Sequence, residues 1–342
     1  MKAVRIFEHG NLDVLKITEV EDPKISSNDV LVNVKACALN HLDIWTRKGL
    51  PNVKIPLPLI LGCDISGIIT EVGSEVKSFK IGDEVLVAPG TSCGKCYECL
   101  SGQDNLCNSY KMFGYMIDGG YAEYVKVPQE NLIKKPNNIS FEEGASIPLV
   151  FLTAWHMLVN RVKLKAGETI LIQAAGSGVG MAGIQVAKLL GARVITTAST
   201  DEKLQKAKEL GADELINYKE QDFLKEVKRI TDKKGVDVVF EHIGGNTFEK
   251  SFLSLSKNGR LVTCGATEGS NANIDLRVLF YKHITLYGSF MGQKSELIEL
   301  IKFFENGKFK SIVDKVLHLE DIKEAHKIIE ERRQFGKVVV KP

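Results

Sequence analysis

Residues 168–200 read ETILIQAAGSGVGMAGIQVAKLLGARVITTAST. An apolar run, a glycine-rich turn, a helical stretch and a second apolar run follow one another without a break. Strand, turn, helix and strand in that order start a β-α-β unit, whose two strands lie parallel with the helix crossing between them. Gly176, Gly178 and Gly180, with Ser177 and Val179 between them, sit at the strand-to-helix turn. Glycines there let the backbone approach a pyrophosphate, and the positive end of the helix favours its charge. A glycine turn without a ligand is the plainer reading, but the flanking strand and helix are the context that the motif requires.

The alternation continues downstream. Helix is expected over DEKLQKAKELGAD, strand over DELINY, helix over KEQDFLKEVKRITDKKG, strand over VDVVFEHIG and strand over RLVTCGA. Helices alternating with strands predict a doubly wound parallel sheet across residues 151–286. Upstream, DVLVNVKACAL, SGIITEVGSEV and GDEVLVAPG run or alternate apolar over strand lengths, so residues 1–150 read as a β-rich domain. After residue 287 two amphipathic helices and a final strand, GKVVVKP, return to it. The fold class is therefore α/β, in two domains, which 342 residues accommodate.

A net charge of +2 gives no reason to expect a nucleic-acid or membrane partner. The N-terminus carries charges throughout and lacks the apolar core of a signal peptide. No run of about 18 apolar residues suggests a transmembrane helix. A cytoplasmic protein acting on a small molecule is expected.

The cofactor follows from the next strand. NAD-preferring sites place Asp or Glu at its end, against the ribose 2′-hydroxyl. Here the strand ends in Ala198, Ser199 and Thr200, and Lys203 lies one turn into the following helix. Small hydroxyls and a cation suit a 2′-phosphate, so NADP(H) is expected in preference to NAD(H). Tyr218, His242, Gly265 and Ser289 complete the expected cofactor residues.

Four of the seven cysteines, Cys93, Cys96, Cys99 and Cys107, fall in TSCGKCYECLSGQDNLC, residues 91–107, within a lobe of residues 91–108. Four thiolates on one loop converge on one ion, and zinc closes such a site with no open position for substrate. An iron–sulfur cluster is the second reading and disulfides the third. One structural zinc per chain is expected, and chemistry elsewhere.

Taken together, LPLILGCDISGIITEVGSEVKSFKIGDEV, the cysteine lobe, GGYAEYVKVP, AAGSGVG and FGKVVV resemble, in order and over nearly the whole chain, the medium-chain dehydrogenase/reductase superfamily. The resemblance implies a GroES-like β domain, a Rossmann domain inserted before the chain returns, an active site between them, and a homodimer or homotetramer. Zinc-dependent members resemble one another in a cysteine three residues before an aspartate, a Gly-His-Glu triplet and a later cysteine. At the corresponding positions this chain has Asn40 before Asp43, then Gly62, Cys63 and Asp64, and finally Leu149. Leu42 takes the place of the hydroxyl that starts the proton relay of alcohol dehydrogenases. Asn at this place resembles the zinc-free quinone and enoyl reductases, whereas the cysteine lobe resembles the zinc enzymes.

Asn40, His41, Asp43, Cys63 and Thr153 are the candidate catalytic residues: Asn40 as an oxyanion donor helped by His41 or Thr153, and Cys63 as a thiol facing the cleft. The expected activity is NADP(H)-dependent hydride transfer to an activated alkene or quinone. The alternatives are an alcohol dehydrogenase with an atypical or absent catalytic zinc, in which Cys63 and Asp64 would recruit His41, and a non-catalytic nucleotide-binding protein.

Overall fold

The computed structural model describes residues 1–342. Its contacts divide the chain into Met1–Leu149 with Gln293–Pro342, and Val150–Gly292. The second crossing lies at Gln293 rather than near residue 287, because Thr285–Gly288 still pairs with Leu255–Thr263.

Within Val150–Gly292, six strands form one parallel sheet. They are Thr169–Ile172, Arg193–Ala198, Glu214–Asn217, Val236–Glu241, Leu255–Thr263 and Thr285–Gly288. Counted along the chain, their spatial order is 3-2-1-4-5-6, the doubly wound order whose direction reverses beside the first strand. Ile170 is registered against Val194 on one side and Val238 on the other. Both faces are covered, so the central strands are continuous apolar runs, and Leu171, Ile195, Val239 and Leu261 share a core with Phe223 and Phe252.

In the β-rich unit the strand Asp29–Ala38 is the organising element. It pairs antiparallel with Asp64–Val72, Tyr124–Pro128 and the last strand, Lys337–Lys341. Ala38 stands opposite Asp64 on one side and Val339 on the other. This register brings three segments distant in sequence to one end of the sheet. The helix His41–Lys48 follows there, with Asn40 as its N-cap residue. Asp43 in its first turn accepts the Asn40 N–H at 2.7 Å, which satisfies an otherwise orphaned donor.

The same helix is fastened at its other end by Arg47, a guanidinium only 1% exposed. Arg47 donates to Glu330 at 2.7 Å and to the Gly10 carbonyl at 3.3 Å, and lies 3.3 Å from His326 Nδ1. Burial, together with the Arg47 cation, pushes the His326 pKa down to about 3 from its usual 6.5. Burial, with Arg332 and Lys48 nearby, pushes His41 down to about 4. Burial raises Asp43 to about 6.

These shifts set a pH dependence. A histidine with a depressed folded pKa leaves the unfolded chain binding more protons, so stability present above pH 6.5 is lost as pH falls toward the folded values. Asp43 acts in the opposite sense, costing stability as pH rises from about 4 to about 6. The two histidines outweigh it. Urea midpoints should therefore fall between pH 6.5 and 4, and His326→Leu should flatten that fall relative to the wild type. An unchanged slope in the variant would contradict a neutral, buried His326.

Candidate active site

The expected cofactor residues all follow the carboxyl ends of parallel strands, where open α/β sheets bind ligands. Ser177 caps the helix Gly178–Leu189 and its Oγ accepts the Gly180 N–H at 2.9 Å. A Cβ on Gly180 would lie 2.3 Å from the Ala174 carbonyl oxygen, so only glycine permits this turn. Gly183, which the glycine pattern had not included, faces the Phe240 ring, and a Cβ there would meet it at 3.3 Å. Gly178, Gly180 and Gly183 thus form the G-x-G-x-x-G fingerprint, with the third glycine set for close helix–strand packing.

Ser199 and Thr200 follow the second strand, and Thr200, which caps the next helix, accepts the Lys203 N–H on its Oγ1 at 3.3 Å. The first carboxylate after this strand, Asp201, accepts from Asn217 Nδ2 at 3.0 Å. Tyr218 follows the third strand and is partly exposed. His242 follows the fourth; its Nε2 lies 3.0 Å from the Gln173 carbonyl oxygen, to which it donates, and 3.4 Å from Ser177 Oγ. Gly265 and Ser289 follow the fifth and sixth strands. Ser289 Oγ is buried without a partner in the protein, an orphan that a bound ligand can satisfy. Glu241, not anticipated from sequence, is wholly buried and accepts from the Ile243 and Gly244 N–H groups and from Thr263 Oγ1. It fixes the turn that carries His242. A glycine cradle, a helix N-terminus and an orphaned hydroxyl fit a dinucleotide.

The β-rich unit carries a compact polar cluster at the end of its sheet. Asp64 is fully buried. Its Oδ1 accepts the Leu149 N–H at 2.8 Å, and its Oδ2 accepts from Asn40 Nδ2 and Lys337 Nζ, each at 2.9 Å. Lys337, 2% exposed, also donates to Asn40 Oδ1 at 2.5 Å. Asn40 Nδ2 lies 3.4 Å from Cys63 Sγ. Asp43 accepts the Gly62 N–H at 3.0 Å, tying the helix start to the residue before Cys63.

Three expectations change here. Asn40 is not a free oxyanion donor, because its amide oxygen is taken by Lys337 and its nitrogen is spent on Asp64. Cys63 does not face solvent: it is 1% exposed, and burial, with Asp64 and Asp43 nearby, raises its thiol well above the usual range. His41 does not join Cys63 and Asp64 as a metal ligand; its ring packs edge-on against Trp45. Lys337, which holds the cluster together, was not foreseen at all. Thr153 is buried in the helix Pro148–Trp155, which crosses from one unit to the other after Leu149.

The chain's one cluster of three or more metal-ligating side chains is the cysteine loop. The sulfurs of Cys93, Cys96, Cys99 and Cys107 all lie within 4.8 Å of one another. Cys96 and Cys99 are 3.4 Å apart, and Cys93 and Cys99 3.9 Å. Tetrahedral zinc with bonds of about 2.3 Å requires sulfurs about 3.8 Å apart, so the donors fit. Cys107 Sγ accepts from the N–H groups of Cys93 and Ser109, as a thiolate would.

Comparison with known proteins agrees with this architecture. Residues 26–137 match the alcohol dehydrogenase GroES-like domain, and residues 178–306 the zinc-binding dehydrogenase domain. An NAD-dependent alcohol dehydrogenase of Saccharolobus solfataricus is 33% identical over 100% of both chains. An acryloyl-coenzyme A reductase of Sulfurisphaera tokodaii is 32% identical, also over 100% of both. The crystal structure of an NAD-dependent alcohol dehydrogenase superposes with a TM-score of 0.97 at 47% identity, covering 100% of each chain. With its GroES-like unit and its six-stranded parallel sheet, the chain belongs to the medium-chain dehydrogenase/reductase superfamily and is an oxidoreductase.

Proposed function

We propose that this enzyme reduces activated alkenes or quinones with NADP(H) at a site that works without a metal, while its cysteine loop holds one structural zinc. The observation that carries this reading is the engagement of Asp64. Both of its oxygens are occupied by protein donors, Asn40 replaces a ligating side chain, and Leu149 offers only an N–H turned toward Asp64. A catalytic zinc needs three protein donors. Of the three positions that would hold it, Asn40, Cys63 and Leu149, only Cys63 carries a strong ligating atom, and that thiol is 1% exposed.

The nicotinamide supplies the hydride. When hydride adds to the β-carbon of a conjugated carbonyl compound, negative charge moves to the oxygen, and fixed hydrogen-bond donors stabilise it. His41 suits that task in place of Asn40. Burial holds its pKa down to about 4, so at pH 7 its imidazole, packed against Trp45, is neutral and has an N–H to offer. Alcohol oxidation is the harder direction here, because no metal or evident base lowers an alcohol's pKa. The alcohol dehydrogenase reading nonetheless stands second, favoured by the names of the relatives at 33% and 47% identity.

Cofactor preference rests on the second strand. No carboxylate ends it, and Asp201 is turned to Asn217. The preference for NADP(H) sets this chain apart from the relatives named NAD-dependent.

A screen of enones, quinones, enoyl thioesters, aldehydes and alcohols tests the reaction class. NADPH oxidation with the first three classes is expected. Turnover confined to alcohols and aldehydes would establish the second reading instead. His41→Ala should lower turnover about a hundredfold or more with cofactor binding kept.

NADPH should bind more tightly than NADH, and Lys203→Ala should weaken NADPH alone, by roughly tenfold or more. Equal loss for both cofactors would refute the phosphate reading.

Elemental analysis should find one zinc per chain. Cys96→Ser should lower the melting temperature far more than it slows turnover; iron with visible absorption would contradict zinc.

A further inference from the structure

The β-rich unit carries a second concave surface, built from residues that neither the dinucleotide cradle nor the Asn40–Asp64 cluster uses. It begins with an alternation. In Tyr124–Pro128 the residues Val125 and Val127 are buried, so Tyr124, Lys126 and Pro128 share the outward face. The strand Lys2–Ile6 contributes Arg5, held in register between Lys16 and Ile60. Lys111, paired with Thr91, comes from the segment that follows the cysteine loop. With Lys24, these side chains line a groove of about 720 Å³. Its floor is apolar: Leu59, Ile60 and Phe113 are each no more than 4% exposed.

We propose that this groove is a second ligand site, which binds a small organic anion with its apolar body on the floor and its carboxylate or phosphate head against the cations.

Three observations carry the proposal. The first is charge. Four cations, Arg5, Lys24, Lys111 and Lys126, stand against three carboxylates, Glu21, Asp29 and Asp118. None of the four is ion-paired within the chain, and the Arg5 guanidinium only overlies the Phe7 ring, 5.0 Å from its centroid. Two of the carboxylates are already engaged by the backbone: Asp118 accepts the Ile60 N–H at 2.9 Å and Asp29 the Ser26 N–H at 3.1 Å. Beside an apolar floor, where the dielectric is low, the unpaired cations act strongly on an anion. The second is rigidity. Arg5, Lys111 and Lys126 stand on paired strands, and Pro23, Pro56 and Pro58 stiffen the walls, so little order has to be created on binding. The third is size. The volume falls in the range of small-molecule sites, of roughly 300–1,000 Å³. Arg5 offers a planar fork to a carboxylate or phosphate, and the lysines add point charges. The site is independent of which substrate is reduced.

The probe for the test is anilinonaphthalenesulfonate, a flat apolar dye with one anionic head, whose fluorescence rises in apolar surroundings. Zinc-loaded protein is titrated with it while NAD+ and NADP+ together saturate the dinucleotide site, so the readout depends on neither cofactor preference nor turnover. One saturable site per chain is expected. Lys126→Glu and Arg5→Gln should each weaken the dye about tenfold or more. Ile117→Trp, which crowds the apolar wall without changing charge, should weaken it as well. Lys234→Glu, at an exposed position of the other unit, should leave affinity unchanged. Lys126 is itself exposed, so its variant reads the site even where Arg5→Gln disturbs the fold. Displacement of the dye by decanoate would identify a carboxylate head, and by adenosine monophosphate a phosphate head. Displacement by neither would overturn the proposal. Equal affinity in the wild type and the groove variants would also overturn it, as would an equal loss in Lys234→Glu, which would reduce the effect to net charge.

Discussion

The ion pair between Lys337 and Asp64 is the constraint on which the β-rich unit's functional end depends. Both groups are buried, and removing one partner of such a pair typically costs about 3–5 kcal/mol because the other charge is stranded. The pair joins the last strand to the strand that begins at Asp64, and through Asn40 to the N-terminus of the helix His41–Lys48. The helix start is then held by Asp43, which ties Asn40 to Gly62. Its other end is held by Arg47 and Glu330. The Asn40–Asp64 cluster is thereby held by residues from both ends of the chain.

The cysteine loop does a different job. Asp104 within it accepts the N–H of Lys294 at 3.0 Å, at the start of the helix Lys294–Glu305. Lys294 Nζ in turn donates to Asn131 Oδ1 at 3.1 Å, and Asn131 Nδ2 donates to the carbonyls of Ala88 and Gly90. Metal in the loop would fix Asp104 and so the point where the chain re-enters the β-rich unit. A closed four-thiolate site has no coordination position left for a substrate. On the proposed reading metal and chemistry are separated, the metal as a staple in the cysteine loop and the chemistry in the Asn40–Asp64 region.

Much of this was legible in the sequence, and for physical reasons. The parallel sheet announced itself because buried strands are apolar runs, and the glycine turn because at Gly180 any Cβ would strike the Ala174 carbonyl. The sixth strand, Thr285–Gly288, and the strand Val313–His318 were not singled out. Both are mostly exposed, with burial too mixed to leave a periodic signature. Gly183 was passed over because its reason, the Phe240 ring, lies in another strand. Asn40 was singled out as unusual and expected as an oxyanion donor, whereas the structure turns its amide to Lys337 and Asp64. A sequence shows which side chain can donate, not whether a partner already takes the donation. Lys337 was invisible for the same reason: it reads as one more lysine before an apolar run, and only strand register places it against Asp64.

The most direct test of a metal-free reaction centre beside a metal-loaded staple is a crystallographic anomalous difference map recorded just above and just below the zinc absorption edge. The account predicts one zinc peak per chain, equidistant from the sulfurs of Cys93, Cys96, Cys99 and Cys107, with Lys337 Nζ still against Asp64. A second peak between Cys63 and Asp64, with Lys337 turned away, would contradict it.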